Sequence, residues 1–215
     1  MASKYNIAQC LLNEEKHTPE EIQVLLKQGE ENEGAMVRLL PKVETVDTRP
    51  VRTALLRAAG DGYSPGELSI YTAYVEIFVE KLRELVHTEA VIAQEPCQES
   101  EPSPAYAASV RIDGDFDFVG GVIASESVFL ELARRYSEDD SLTEVDDMAI
   151  DACSEFLNVV QGLFSVAMAR QDLEGELQLP RWGKDVVPQG SHQLCLRVYT
   201  SVGAFQIVLA VDEFF

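Results

Sequence analysis

The chain has 215 residues, 46% of them hydrophobic, and carries 17 basic against 37 acidic side chains for a formal net charge of −20. So acidic a surface repels phosphate backbones and anionic lipid, which argues against nucleic acid and membrane as partners. No unbroken apolar run reaches the roughly 18 residues of a bilayer crossing, and no signal-like segment opens the chain, so a cytoplasmic protein is expected. Cys10, Cys97, Cys153 and Cys195 are scattered without C-x-x-C spacing and read as reduced thiols. His17, His87 and His192 lie far apart and near no cysteine pair, so no metal site is expected.

In chain order, Thr18-Pro19-Glu20-Glu21 is a helix start: a capping threonine, proline at the first helical position and glutamate three residues on. Ile22, Leu25 and Leu26 supply one apolar face, and Ile7, Cys10 and Leu11 predict an earlier helix to pack against it. Residues 41–52 carry two prolines and no periodicity and read as a linker, followed by a short helix over Arg52–Ala59. These features divide the chain into a helical extension with linker, 1–60, and a main domain, 61–215. The main domain opens on the capping box Ser64-Pro65-Gly66-Glu67, and Leu68, Tyr71, Val75, Phe78, Leu82 and Leu85 mark a helix behind it. Gln94–Pro104 reads as a mobile polar loop.

Strands follow. Val110 and Ile112 alternate with polar residues, Asp113-Gly114 predicts a two-residue hairpin turn, and Phe116 to Ala124 returns. Val128, Leu132 and Tyr136 mark a short amphipathic helix. Thr143 is the expected cap of a long helix over residues 146–172, with Asp146 and Asp147 in its first turn. Leu177 and Leu179 begin another strand. Leu194, Leu196 and Val198, then Phe205, Ile207, Leu209 and Val211, form the clearest hairpin in the chain. This order predicts an α+β fold, an antiparallel sheet with helices packed on one face.

The long helix buries Ala149, Cys153, Phe156, Val160, Phe164 and Met168 by period. Opposite them Asp151, Glu155, Asn158 and Gly162 recur at spacings of four, three and four, which aligns them in one row along the helix. Alone, such a row is also what an ordinary solvated helix face looks like. Pairing Glu155 with Asp151 or Glu174 imitates a two-carboxylate hydrolase, but no aromatic cluster for stacking a sugar accompanies them. Trp182 beside Arg181 reads as a packing pair at a strand edge.

Asp151, Glu155, Asn158 and Pro180, separated by three, two and twenty-one residues, fit the pattern D/S-x3-E-x2-N-x21-P. The pattern resembles the signature of the CheC/CheX family of chemotaxis phosphatases, and CheX most closely, because the helix occurs once; the resemblance covers about residues 66–215. It implies a CheX-like domain that hydrolyses the aspartyl phosphate of a CheY-type response-regulator receiver. Asn158 would orient the attacking water, and Glu155 would dock the receiver's lysine. Asp151 and Pro180 would frame the site, and Gly162 would leave room for close approach. Mg²⁺ would come from the receiver, this chain binding none itself. A homodimer through the sheet is a further implication. The alternative is a receiver-binding scaffold or adaptor that leaves the phosphate intact. The family commonly has glycine before the asparagine where this chain has Leu157; at 100° per residue Leu157 points towards the flank of the apolar face.

Asn6–Gln28 also resembles the paired helices at the N-terminus of type II secretion ATPases, some of which bind cyclic di-GMP through an R-L-G-x-x-L segment. Asn6 stands for the arginine and Ala8 for the glycine. Without that planar cation the grip on phosphate or guanine is lost, and a helical docking hairpin is the plainer expectation.

Overall fold

A computed structural model of the protein describes residues 4–31, 49–97 and 100–215. The elements are α1 (Lys4–Asn13), α2 (Pro19–Glu31), α3 (Pro50–Ala59), α4 (Pro65–Leu85), β1 (Ala90–Ile92), β2 (Ala105–Gly114), β3 (Phe118–Ser125), α5 (Glu126–Ser137), α6 (Asp147–Ala169), β4 (Gly175–Leu177), β5 (Arg181–Lys184), β6 (Leu194–Thr200) and β7 (Gly203–Ala210). The strands form one antiparallel sheet in the order β1-β6-β7-β3-β2-β4, with β5 also paired to β2. The fold class is the expected α+β arrangement.

The main core lies between the helix-bearing face of the sheet and α3 to α6. Tyr74 and Phe78 of α4, Phe118 of β3 and Phe164 of α6 are all fully buried. Tyr74, Phe118 and Phe164 stack on one another, with centroids 4.8–5.4 Å apart. Each such ring contributes roughly 1.5–3 kcal/mol by burial, with an added edge-to-face preference. Gly120 makes room for this cluster: a Cβ there would lie 2.5 Å from Tyr74 Cζ.

Both halves of the Ser64 capping box form. Glu67 N–H donates to Ser64 Oγ (3.2 Å), and Ser64 N–H donates to the Glu67 carboxylate (2.8 Å). These bonds hold the Glu67 carboxyl below the usual carboxylate range. The α1–α2 pair packs on the opposite face, where Ile7, Leu11, Leu12, Ile22 and Leu26 bury Val91 of β1. The rest of that second face is closed by Phe214 and Phe215 of the tail together with Val186.

Gln9, fully buried on α1, replaces the strand that edge strand β1 lacks. Its Oε1 accepts from Ile92 N–H (2.8 Å) and its Nε2 donates to Ile92 C=O (3.0 Å) and to Asn13 Oδ1 (3.1 Å). Asn13 in turn donates to Pro50 C=O (2.9 Å), tying α1 to α3. At the far end of α2, Glu30 pairs with Arg135 of α5 (3.1 Å).

Several local expectations need correction. Asp113-Gly114 is not the hairpin turn: Ile112 pairs with Phe118, the chain reverses over residues 113–117, and Gly114 still pairs with Gly175. The glycine serves close approach, since a Cβ there would sit 2.4 Å from Glu174 O. The cap of α6 is Asp146, whose carboxylate accepts from Ala149 N–H (3.0 Å), in place of Thr143. Helix α3 starts at Pro50, two residues early, because proline suits the first turn; residues 41–48 of the predicted linker lie outside the described residues. Within the predicted polar loop Glu101 is buried and ion-paired with Arg197, so that stretch is anchored over β6. Burial raises the Glu101 pKa, and Arg197 opposes the rise. Ala8 is buried in the α1–α2 core, whereas the Asn6 side chain lies outside the described residues.

Candidate functional site

Helix α6 lies over the β3–β2–β4 side of the helix-bearing face, and two contacts fix it over β2 and β4. Buried Gln161 donates to Val110 C=O (3.0 Å), and Ser165 Oγ donates to Gly175 C=O (3.5 Å). By length and composition α6 is the single described helix able to span a bilayer. Its apolar side is spent on the core, with Cys153, Phe156, Leu157, Val160, Phe164 and Met168 all buried. Burial also pushes the Cys153 thiol pKa up, and its Sγ donates weakly to Phe129 C=O (3.7 Å), so this thiol is structural.

Asp151 and Glu155 are exposed on the outer side of α6, with Asn158 and Gly162 beside them half-buried. The Asn158 amide donates to Glu155 Oε2 at 3.4 Å. Turning its NH₂ to the carboxylate leaves the amide oxygen as a free-standing acceptor beside a negative charge. Leu157 is fully buried and takes no part in this surface. The α1–α2 pair lies on the other side of the sheet and does not cover the row.

Gly162 stands out energetically. Mid-helix glycine costs roughly 0.5–1 kcal/mol relative to alanine. A Cβ at this position would meet nothing within 4 Å. No internal neighbour requires the missing side chain, unlike the cases of Gly114 and Gly120.

Pro180 lies beside this surface. Ile112 pairs with Leu177 and Ser109 with Arg181, so Leu179 and Pro180 together stand opposite Val110. Two residues against one is a β-bulge, an edge feature that tolerates the missing proline N–H. The bulge turns Leu179 outward, 87% exposed. Just past it Trp182 pairs with Ala108, whose side chain is in the helix-side core, so the indole lies on the helix-bearing face. Arg181, one residue earlier, points to the other face and stacks over Phe215 (5.2 Å). The two do not form the packing pair that their adjacency suggests, since neighbours along a strand face opposite ways.

The other flank of the row is Tyr136 of α5, in contact with Phe156 (5.8 Å between ring centroids). Burial, and then the Glu155 carboxylate, push its phenol pKa up. From the sequence Tyr136 reads only as a helix-core residue and Trp182 only as half of a strand-edge packing pair, so neither is assigned to the site there. Tyr136 follows the helix period of core residues, and the face of Trp182 depends on the bulge.

Among the described residues no group of three or more His, Cys, Asp and Glu side chains is placed to hold a metal ion. A large cleft of about 1180 Å³ lies away from the row, between the α1–α2 pair and β6. Its arginines are engaged, Arg57 with Asn13 C=O (2.9 Å) and Gln94 (2.5 Å) and Arg197 with Glu101.

No family model and no curated protein matches this sequence. Solved structures do. The chain is similar to a CheX chemotaxis protein from Desulfovibrio desulfuricans, at 14% identity and a TM-score of 0.57, over 67% of this chain and 99% of that one. It is similar to CheX from Vibrio vulnificus, at 11% identity and a TM-score of 0.55, over 66% of this chain and 98% of that one. A chain of the CheX–CheY–BeF3–Mg²⁺ complex from Borrelia burgdorferi matches at 15% identity and a TM-score of 0.54, over 66% of this chain and 97% of that one. The chain therefore carries the fold of the CheC/CheX chemotaxis proteins.

Proposed function

We propose that this chain hydrolyses the aspartyl phosphate of a CheY-type receiver domain. The observation that carries the reading is the placement of Glu155 and Asn158 side by side, 3.4 Å apart, on a helix face that no described element covers. The fold similarity supports it, and so does the Borrelia complex, in which a CheX protein is bound to CheY with BeF3 and Mg²⁺.

An acyl phosphate is already activated, so the chemistry lacks only a water held in line with the scissile P–O bond. The Asn158 amide oxygen accepts a hydrogen bond from that water. Attack on phosphorus then forms the new P–O bond, releases the receiver's carboxylate and yields inorganic phosphate. Glu155 pairs with the receiver's lysine and sets the angle of docking. Asp151 and Pro180 border the contact, and bare Gly162 backbone lets the partner come close. The receiver supplies Mg²⁺. In this reading residues 61–215 carry the activity, and the α1–α2 pair covers part of the far side of the sheet.

The test mixes the protein with a phosphorylated CheY-type receiver and follows loss of the phosphoryl group. Asn158→Ala should lower kcat on the order of 100-fold, the scale of losing one positioned polar group, with little effect on KM. Glu155→Ala should act mainly on KM. A phosphoryl group that survives unchanged, or is protected in a stable complex, refutes hydrolysis, and protection selects the scaffold alternative.

A further inference from the structure

Most large apolar side chains left exposed among the described residues lie on α6 or on the neighbouring β4–β5 edge. Met148, Leu163 and Val166 of α6, with Leu177, Leu179 and Trp182 of the β4–β5 edge, border the polar row. Single exposed apolar groups need no explanation, but several on the two elements that flank a polar row suit a protein-binding surface. Trp182 holds a particular position in it. Gln161 sits over Val110, and one turn back along α6, about 5 Å, brings Asn158 level with Ala108. Ala108 is the cross-strand partner of Trp182. Asn158 also shares the flank of α6 that carries Gln161 and Ser165, the side overlooking this edge. The half-exposed indole (51%) therefore stands alongside the amide, on the same face of the sheet.

We propose that Trp182, thrown forward with Leu179 by the bulge at Pro180, is the anchor on which the receiver domain seats. It is a specificity-determining contact beside Asn158. This rests on the receiver-phosphatase reading and adds a residue outside the four-position pattern. The occupant follows from charge as well as shape. Exposed apolar side chains share these elements with the exposed carboxylates of Asp151 and Glu155, which fits a partner face presenting a cation beside apolar groups, and the lysine proposed above to pair with Glu155 supplies that cation. Large aromatic side chains that become desolvated on docking dominate such interfaces, and their removal weakens binding without touching the chemistry.

Trp182 is the sole tryptophan of the chain, so its fluorescence reports this position alone. Two measurements on the full chain separate the possibilities. The first is anisotropy of a dye-labelled, BeF3⁻-activated, tryptophan-free receiver, which gives Kd independently of the indole. The second is Trp182 emission and its quenching by acrylamide. We expect a blue shift and reduced quenching on adding the receiver. For Trp182→Ala, Kd and KM should rise roughly ten- to thirty-fold with kcat within about twofold, and Trp182→Phe should recover most of the loss. Val24→Ala, at an exposed apolar position on α2, should change neither value. Binding by anisotropy with unaltered emission and an unimpaired Trp182→Ala overturns the anchor and leaves the phosphatase reading intact. Absence of binding by any receiver overturns both.

Discussion

Replacing Gly162 with alanine sets stability and function against each other. Alanine is favoured over glycine within a helix by roughly 0.8–1.0 kcal/mol. That gain is normally offset where the new methyl collides with a neighbour. At Gly162 nothing lies within 4 Å, so the full amount should appear. For a chain of this size about 1 kcal/mol corresponds to a rise in Tm of about 2–4 °C. The same methyl would stand one turn from Asn158 on the proposed docking face. A displacement of about 1 Å at a reacting centre can cost on the order of 100-fold, so kcat/KM towards a phosphorylated receiver should fall between about 10- and 100-fold. Thermal unfolding and single-turnover dephosphorylation of the same preparation measure both quantities. A lowered Tm would refute the open space around Gly162. A raised Tm with unchanged kcat/KM would refute close docking at this helix and leave the glycine without a functional reason.

Two further predictions concern the frame that holds the site. Gln9→Ala strips the buried N–H and C=O of Ile92 of their partners at 2.8 and 3.0 Å. Each orphaned group costs about 1–3 kcal/mol, so a loss of roughly 3 kcal/mol in urea unfolding is expected, with early amide exchange in β1; a loss below about 0.5 kcal/mol would show that the amide is dispensable. Asp185 accepts a hydrogen bond from Ala105 N–H (2.9 Å), which holds its carboxyl below the ordinary carboxylate value. A lowered folded pKa gives stability that is present above the unfolded value of about 3.9 and lost as pH falls through the folded one. Asp185→Asn should therefore lower Tm at pH 7, with a gap that closes below about pH 4. A gap independent of pH would assign the effect to something other than that carboxylate.

Much of this architecture is legible in residue order because it is local. The Ser64 box and the period of α6 use interactions within four residues. The β6–β7 hairpin needs only alternation and a short turn, and in the structure Leu196 stands opposite Ile207 and Val198 opposite Phe205. The polar row was likewise readable, since helix geometry alone aligns Asp151, Glu155, Asn158 and Gly162. What was not legible depends on contacts distant in sequence. Gly114 looked like a turn residue because its role, admitting the backbone of Glu174, involves a strand 60 residues away. Strand β1 is three residues long, and its outer edge is completed by Gln9, 83 positions earlier. Trp182 could not be given a face without the one-residue offset at Pro180. Each miss is a case where packing across the sheet outweighed local preference.

By bonding the N–H and C=O of Ile92 with a side-chain amide, Gln9 takes from β1 the outward groups that another chain would pair with at that residue. The opposite margin, along β4 and β5, has no such side-chain amide capping it among the described residues. That margin is also the border of the polar row. If two copies were to join along that strip, their contact and the proposed docking of a receiver would exclude one another, and the proposed hydrolysis would slow as the protein is concentrated.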